Sequence, residues 1–197
     1  MSARSHSALL TMAIFLVTSI VLFQTALAGD FVAEMVEKSI GDTVISKIYV
    51  KGTKYRIETE EEGKQIVILV DQEANLTRIC NMDEKSYMEI PSDDLKSLMN
   101  DPFQSLEFTI DTPGTESKTP EPEAVNGVEC VKHVVLWGGA PFYTYYISEK
   151  YDLPLKIIRG NGEKVVELRN IEEKEIDDAM FQIPDGFTIK KESEDKK

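Results

Sequence analysis

The chain is poor in the side chains that usually carry chemistry. Among 197 residues there are two histidines and two cysteines. His6 lies in the N-terminal stretch, and His133 stands alone in a strand-like run. One histidine and two well-separated cysteines, Cys80 and Cys130, offer no metal-ligand spacing. There is no glycine-rich phosphate loop and no G-x-S-x-G elbow. Basic residues are scarce, with 22 Lys and Arg against 35 Asp and Glu and a formal charge of −13. No basic patch is interleaved with aromatics, and a negative field repels phosphate backbones, so nucleic acid is not an expected partner. The carboxylates are numerous but sit in turns, where a solvated surface is their default. These absences argue against an enzyme and against a resident metal or cofactor.

What is present begins with a leader. Met1–Ser7 carries Arg4 and no acid, and Ala8–Phe23 is almost wholly apolar. Ala26-Leu27-Ala28 then supplies the small residues of a signal-peptidase site, so cleavage before Gly29 is expected. The apolar run is shorter than the ~20 residues of a spanning helix, which favours cleavage over an anchor. No cysteine follows the cleavage site, which argues against a lipid anchor there. The expected destination is the periplasm of a Gram-negative-type bacterium. Loss of Arg4 brings the formal charge of the mature chain to −14. That field disfavours anionic headgroups but leaves a peripheral, apolar membrane contact open. In an exported protein an even cysteine count admits a Cys80–Cys130 disulfide. Two buried thiols acting as small hydrophobes are the other reading.

The mature chain reads as one domain over residues 29–189, followed by a charged, disordered tail at 190–197. Thr43–Pro91 is a series of short β-branched and aromatic runs separated by Gly, Asp, Glu and Lys turns, which predicts an antiparallel meander. Asp30–Ser39 alternates and forms a hairpin with the next strand. In Thr43–Lys51, Val44, Ser46, Ile48 and Val50 share the covered face. Tyr55 and Ile57 share the matching face of the following strand, with Arg56 opposite. Ile66–Val70 is apolar on both faces, so it is expected near the centre of the sheet, with its second face covered or serving as a ligand surface. Ser92–Asn100 reads as a short helix, capped by Ser92 and striped by Leu95, Leu98 and Met99. Leu106–Ile110 is another strand. Asp111–Asn126, with three prolines and several acids, reads as an extended surface loop. Gly127–Trp137 is a strand with Val128, Cys130, Lys132, Val134 and Leu136 on one face. Phe142–Ser148, Pro154–Arg159 and Lys164–Asn170 follow, the last two joined at Asn161-Gly162. Ile176–Phe181 is a helical turn.

The order of these pieces resembles the lipoprotein-sorting (LolA-like) superfamily of exported bacterial proteins, and its uncharacterised relatives more than the carrier itself. The likeness rests on KIYVKGTKYRIE, SYMEIP and a following short helix, the G-x-E-C strand, YDLPLKIIRGNG, and the closing DDAMFQIPDGF. It covers nearly all of the mature chain. It implies a mainly β fold, in which a curved antiparallel sheet forms an unclosed half-barrel with a short helical lid. It also implies a cavity that takes acyl chains or a lipidated protein, with an arginine holding the lid. Arg56 occupies the matching place. Two elements differ from the carriers: the long amphipathic helix before the first strand is missing, and the lid is reduced to about Ser92–Asn100.

Two functional readings follow. In the first, an apolar concave face formed by Ile48, Val50, Ile57, Ile66, Ile68, Val134 and Leu136, with Leu95 and Leu98 of the lid, accepts acyl chains or a lipidated partner in lipoprotein sorting or lipid handling. In the second, the same residues are plain core, and the protein is a non-catalytic interaction protein of the envelope. It then meets its partner through Asp111–Asn126 or an exposed sheet edge.

Overall fold

The computed structural model describes residues 29–94, 101–103, 114–117 and 119–190. The leader, the Ser92–Asn100 helix with Leu95 and Leu98, the Leu106–Ile110 strand and the tail beyond Lys190 fall wholly or mostly outside them.

The meander forms where alternation and turn chemistry place it. Strands β1 (Phe31–Ser39), β2 (Asp42–Lys51), β3 (Lys54–Glu61), β4 (Lys64–Asp71), β5 (Leu76–Asn81) and β6 (Ser86–Pro91) pair in sequence, each antiparallel to the last. A second run comprises β7 (Thr115–Ser117), β8 (Glu121–Val125), β9 (Val128–Trp137), β10 (Ala140–Ser148), β11 (Leu153–Arg159) and β12 (Lys164–Glu173). Strand β1 joins the two runs by pairing β12 on its other side. A 3₁₀ turn at Asp178–Phe181 and a short strand β13 (Thr188–Ile189) close the chain, with β13 parallel to β6. The result is one 13-stranded, curved and unclosed sheet, ordered β13-β6-β5-β4-β3-β2-β1-β12-β11-β10-β9-β7. Strand β4 is interior but lies fourth from the β13 end; the centre is held by β2 and β1.

Because side chains alternate, the sheet has an inner and an outer face. The inner face carries one cluster that spans both runs. Phe31, Met35, Ile48, Val50, Tyr55, Ile57, Ile68 and Val70 meet Val135, Tyr145, Leu155, Ile157 and Leu168. Side chains of this size stabilise by about 1.5–3 kcal/mol each when removed from water. Curling the sheet brings its two halves into contact, which replaces the partner layer that a flat sheet would need.

Two expectations are corrected here. Asp111–Asn126 is not a plain loop, because β7 and β8 lie within it and pair consecutive stretches of β9. The signal was Asn126-Gly127. Both residues take positive φ, 51° and 82°, and join Val125 to Val128 in a two-residue hairpin. In β9, Val135 and not Val134 or Leu136 belongs to the inner cluster. Val135 stands opposite Tyr143, and Val134 opposite Thr144 on the other face. Strict alternation counted from Cys130 fails because the buried face changes parity along β9, where Cys130 and Val135 are both in the core.

Candidate functional site

The expected apolar face largely assembles. Cross-strand partners form a continuous inner row, Ala33–Ile48–Ile57–Ile68–Ile79–Met88, from β1 to β6. Its beginning is sealed, with Ile48, Ile57 and Ile68 at 0%, 1% and 4% exposure. Its end is only half-buried, at Ile79 and Met88. Val50 lies in the next row with Tyr55 and Val70, which runs on to the half-buried Ile90. Ile66 packs against the cluster from its margin. Val134 and Leu136 are on the opposite face, so they do not join this surface.

A short crossing segment closes the sealed part. Phe103 stands edge-on to Tyr55, with ring centroids 5.8 Å apart and planes at 78°. The Tyr55 hydroxyl donates to the buried Asp101 carboxylate, whose other oxygen accepts from the Phe103 N–H at 2.9 Å. The sequence showed Asp101 only as part of a helix-stopping Asn-Asp-Pro; its pairing with a tyrosine in a distant strand has no local signature.

The outer face answers why β4 is apolar on both sides. Val67 and Leu69, with Cys80 of β5, form a second cluster covered by Ile183 and Phe187. Val32 packs with Ile176 and Phe181. The C-terminal segment is therefore a strap across the outer side of the first run. Its cap is local: Asp177 accepts from the Ala179 N–H at 2.9 Å. Arg56 holds this strap. Its Nη1 donates to the Met180 carbonyl at 3.0 Å, and its Nε pairs with Glu58 at 2.7 Å. Lys51 does the same one residue row away, donating to the Ile176 carbonyl at 2.8 Å and pairing with Asp178 at 2.9 Å. That pairing holds the Asp178 carboxyl below the ordinary aspartate range and raises the Lys51 ammonium.

The cysteines are free and buried. Cys80 and Cys130 belong to different clusters and are both free, so the disulfide is not made. Burial raises both thiols above their ordinary range, with Arg56 and Arg78 partly opposing this at Cys80. Protonated, covered thiols are poor nucleophiles. Among the described residues no group of His, Cys, Asp or Glu is arranged to hold a metal ion, and no helix is long and apolar enough to cross a membrane.

No family model matches the chain, and no curated protein matches it. Solved structures do. An uncharacterised conserved protein from Thermus thermophilus is similar with a TM-score of 0.54 and 10% identity, covering 83% of this chain and 91% of that one. MucB is similar with a TM-score of 0.49 and 13% identity, covering 81% of this chain and 61% of that one. The MucA/MucB complex of Pseudomonas aeruginosa gives 0.47 and 15%, with 80% and 56% covered. The likeness to the Thermus protein, at 10% identity, is one of fold: a curved, unclosed, mainly antiparallel sheet.

Proposed function

We propose that the protein is an exported, non-catalytic binding protein of the bacterial envelope, related to the lipoprotein-sorting superfamily, whose inner face takes an acyl chain or a lipidated partner. The observation that carries this reading is the inner row. It is apolar from end to end, sealed at Ile48–Ile57–Ile68 and half-open at Ile79 and Met88, with Ile90 beside them. A half-open apolar row at a sheet margin offers an alkyl chain a dry wall on one side. The expected cleavage before Gly29, the order of motifs and the curved sheet support the same reading.

The test uses delipidated, signal-less protein and a fluorescent fatty acid, with native mass spectrometry of protein purified from the periplasm. The reading expects saturable uptake and a co-purifying lipid mass. Met88→Glu places a charge on the open end and should abolish uptake while leaving the melting temperature nearly unchanged. Wild-type protein that is folded, consistently empty and unable to take up the probe would overturn it.

That outcome would leave the second reading, an interaction protein with a filled core. It is supported by the near-complete burial of Ile48, Val50, Ile57 and Ile68 beneath the chain's own side chains.

A further inference from the structure

Among the described residues the outer face is clothed on one run of strands only. On the first run the strap lies over Val32, Val67 and Leu69, and two sheet cations, Lys51 and Arg56, donate to its carbonyls. The second run has similar equipment and no strap over it among the described residues. Its outer rows are Val36–Glu167–Lys156–Tyr146 and Lys38–Val165–Ile158–Thr144, read from β1 through β12 and β11 to β10. A cleft of about 480 Å³ lies along these rows. Its floor is apolar at Val36, Ile158 and Val165. Ile45, paired with Val36 at the margin, is 65% exposed.

The charges of the cleft are unbalanced. Glu167 accepts from Arg169 Nε at 2.8 Å and from Asn126 at 3.2 Å, so its oxygen is already engaged. Lys156 reaches Glu167 through its field and the Tyr146 ring face at 5.5 Å. Among the described residues neither Lys156 nor Lys38 has an ion-pair partner. In a chain with 35 acidic and 22 basic residues, two unpaired ammonium groups flanking an apolar floor are a local reversal of sign.

We propose that this cleft docks an extended, apolar peptide segment of a partner protein that carries a small number of carboxylates. The segment lies over β1, β12, β11 and β10 as the strap lies over the first run, with its acids at Lys38 and Lys156. A polyacidic partner is disfavoured, because the net negative field repels it everywhere outside the cleft. An uncharged partner leaves both ammonium groups unpaired on a partly desolvated surface.

The experiment uses a fluorescein-labelled, end-blocked decapeptide of alternating valine and threonine with glutamate at two threonine positions. A matched peptide carries lysine at those positions. Fluorescence anisotropy with the full mature chain should show the glutamate peptide binding at least about tenfold tighter, as expected for two rim charge pairs replaced by two repulsions. The Lys38→Glu/Lys156→Glu variant should reverse the order of the two peptides. Lys38→Glu alone, an exposed change that leaves the sheet intact, should narrow the gap. Amide shifts should map to Val36, Ile158 and Val165, away from the strap. Equal affinity for the two peptides, no binding of either, or unchanged preference in the double variant overturns the proposal. So does a concentration-dependent dimer in sedimentation that the double variant abolishes, since the cleft would then be a self-interface.

Discussion

Replacing Arg56 by alanine should loosen the C-terminal strap while leaving the inner core filled. Arg56 is largely covered, at 12% side-chain exposure, and donates to both the Met180 carbonyl and Glu58. A hydrogen bond to a charged group contributes about 1.5–3 kcal/mol. At about 1.4 kcal/mol per factor of ten, strap opening should become roughly 10- to 150-fold more frequent. Loss of the aliphatic stem against the strap adds to this. The strap covers Cys80, which is fully buried in the outer cluster, whereas Cys130 is buried in the inner one. The two free thiols therefore report separately on the two clusters. In a Cys130→Ser background, labelling of Cys80 by a thiol reagent under native conditions should accelerate by that factor in Arg56→Ala. In a Cys80→Ser background, labelling of Cys130 should change far less, since it requires opening of the inner core. Equal acceleration at both thiols would refute the argument, because Arg56 would then act on global stability. Acceleration at Cys130 alone would return Arg56 to the inner lid that the family likeness implies.

Further outcomes follow from the same contacts. Tyr55→Phe removes a donor from the buried Asp101 carboxylate and should cost about 1–3 kcal/mol in urea denaturation, more than an exposed tyrosine would. Leu69→Ala should cost about 2–5 kcal/mol by the same assay, although it lies on the face opposite the main core, while Ile79→Ala at the half-open row should cost clearly less. Gly127→Ala forces a Cβ into φ +82° and should cost about 1–2 kcal/mol, without any steric clash to explain it. The hydrogen bond from Arg169 holds the Glu167 carboxyl below the ordinary glutamate range. Its stabilisation is therefore present above the unfolded-state value and lost as pH falls through the lowered folded value. Glu167→Gln should flatten the acid limb of the stability curve in thermal melts taken across that interval; an unchanged limb would remove Glu167 from the account.

Legibility tracked the range of the interaction. Strands β1 to β6 were readable because each is specified within its own residues, by alternation and by turns such as Glu62-Gly63. The assignment of Ser46, Ile48 and Val50 to one face survives in the burial of all three. The two-sided apolarity of Ile66–Val70 was also legible, as was the need for something to cover it. What was not legible was the cover. The strap's apolar residues are Ile176, Met180, Phe181, Ile183 and Phe187, at irregular spacings of four, one, two and four. That spacing matches neither a strand nor a helix, so no periodic signal links it to a sheet face more than a hundred residues earlier. Likewise Asp101 gains its meaning from Tyr55, and β7 and β8 gain theirs from β9. The parity change in β9 misled for a related reason: the strand answers to Tyr143 and Tyr145 on one stretch and to Val125 on another. Asn126-Gly127 is a local hairpin signal, but the three prolines and the acids before it have the composition of a loop.

The strap also changes what the apolar strand says about ligands. An antiparallel strand buried on both sides needs two covers, and before the structure a ligand was one candidate for the second. Ile183 and Phe187 fill that position, so the outer side of β4 no longer requires a ligand to explain it. The argument for cargo therefore moves along the same rows, from Ile66–Val70 to Ile79, Met88 and Ile90 at the margin. There the inner face is apolar by cross-strand register yet half-exposed. Packing alone does not favour such a surface, since covering the apolar area still exposed would add stability at about 25 cal/mol per Å². If they serve only the fold, polar replacements at Met88 and Ile90 should lower stability and alter no binding. If they serve an acyl chain, the same replacements should spare stability and abolish uptake. Stability and uptake measured on one pair of variants thus separate the carrier from the filled-core protein.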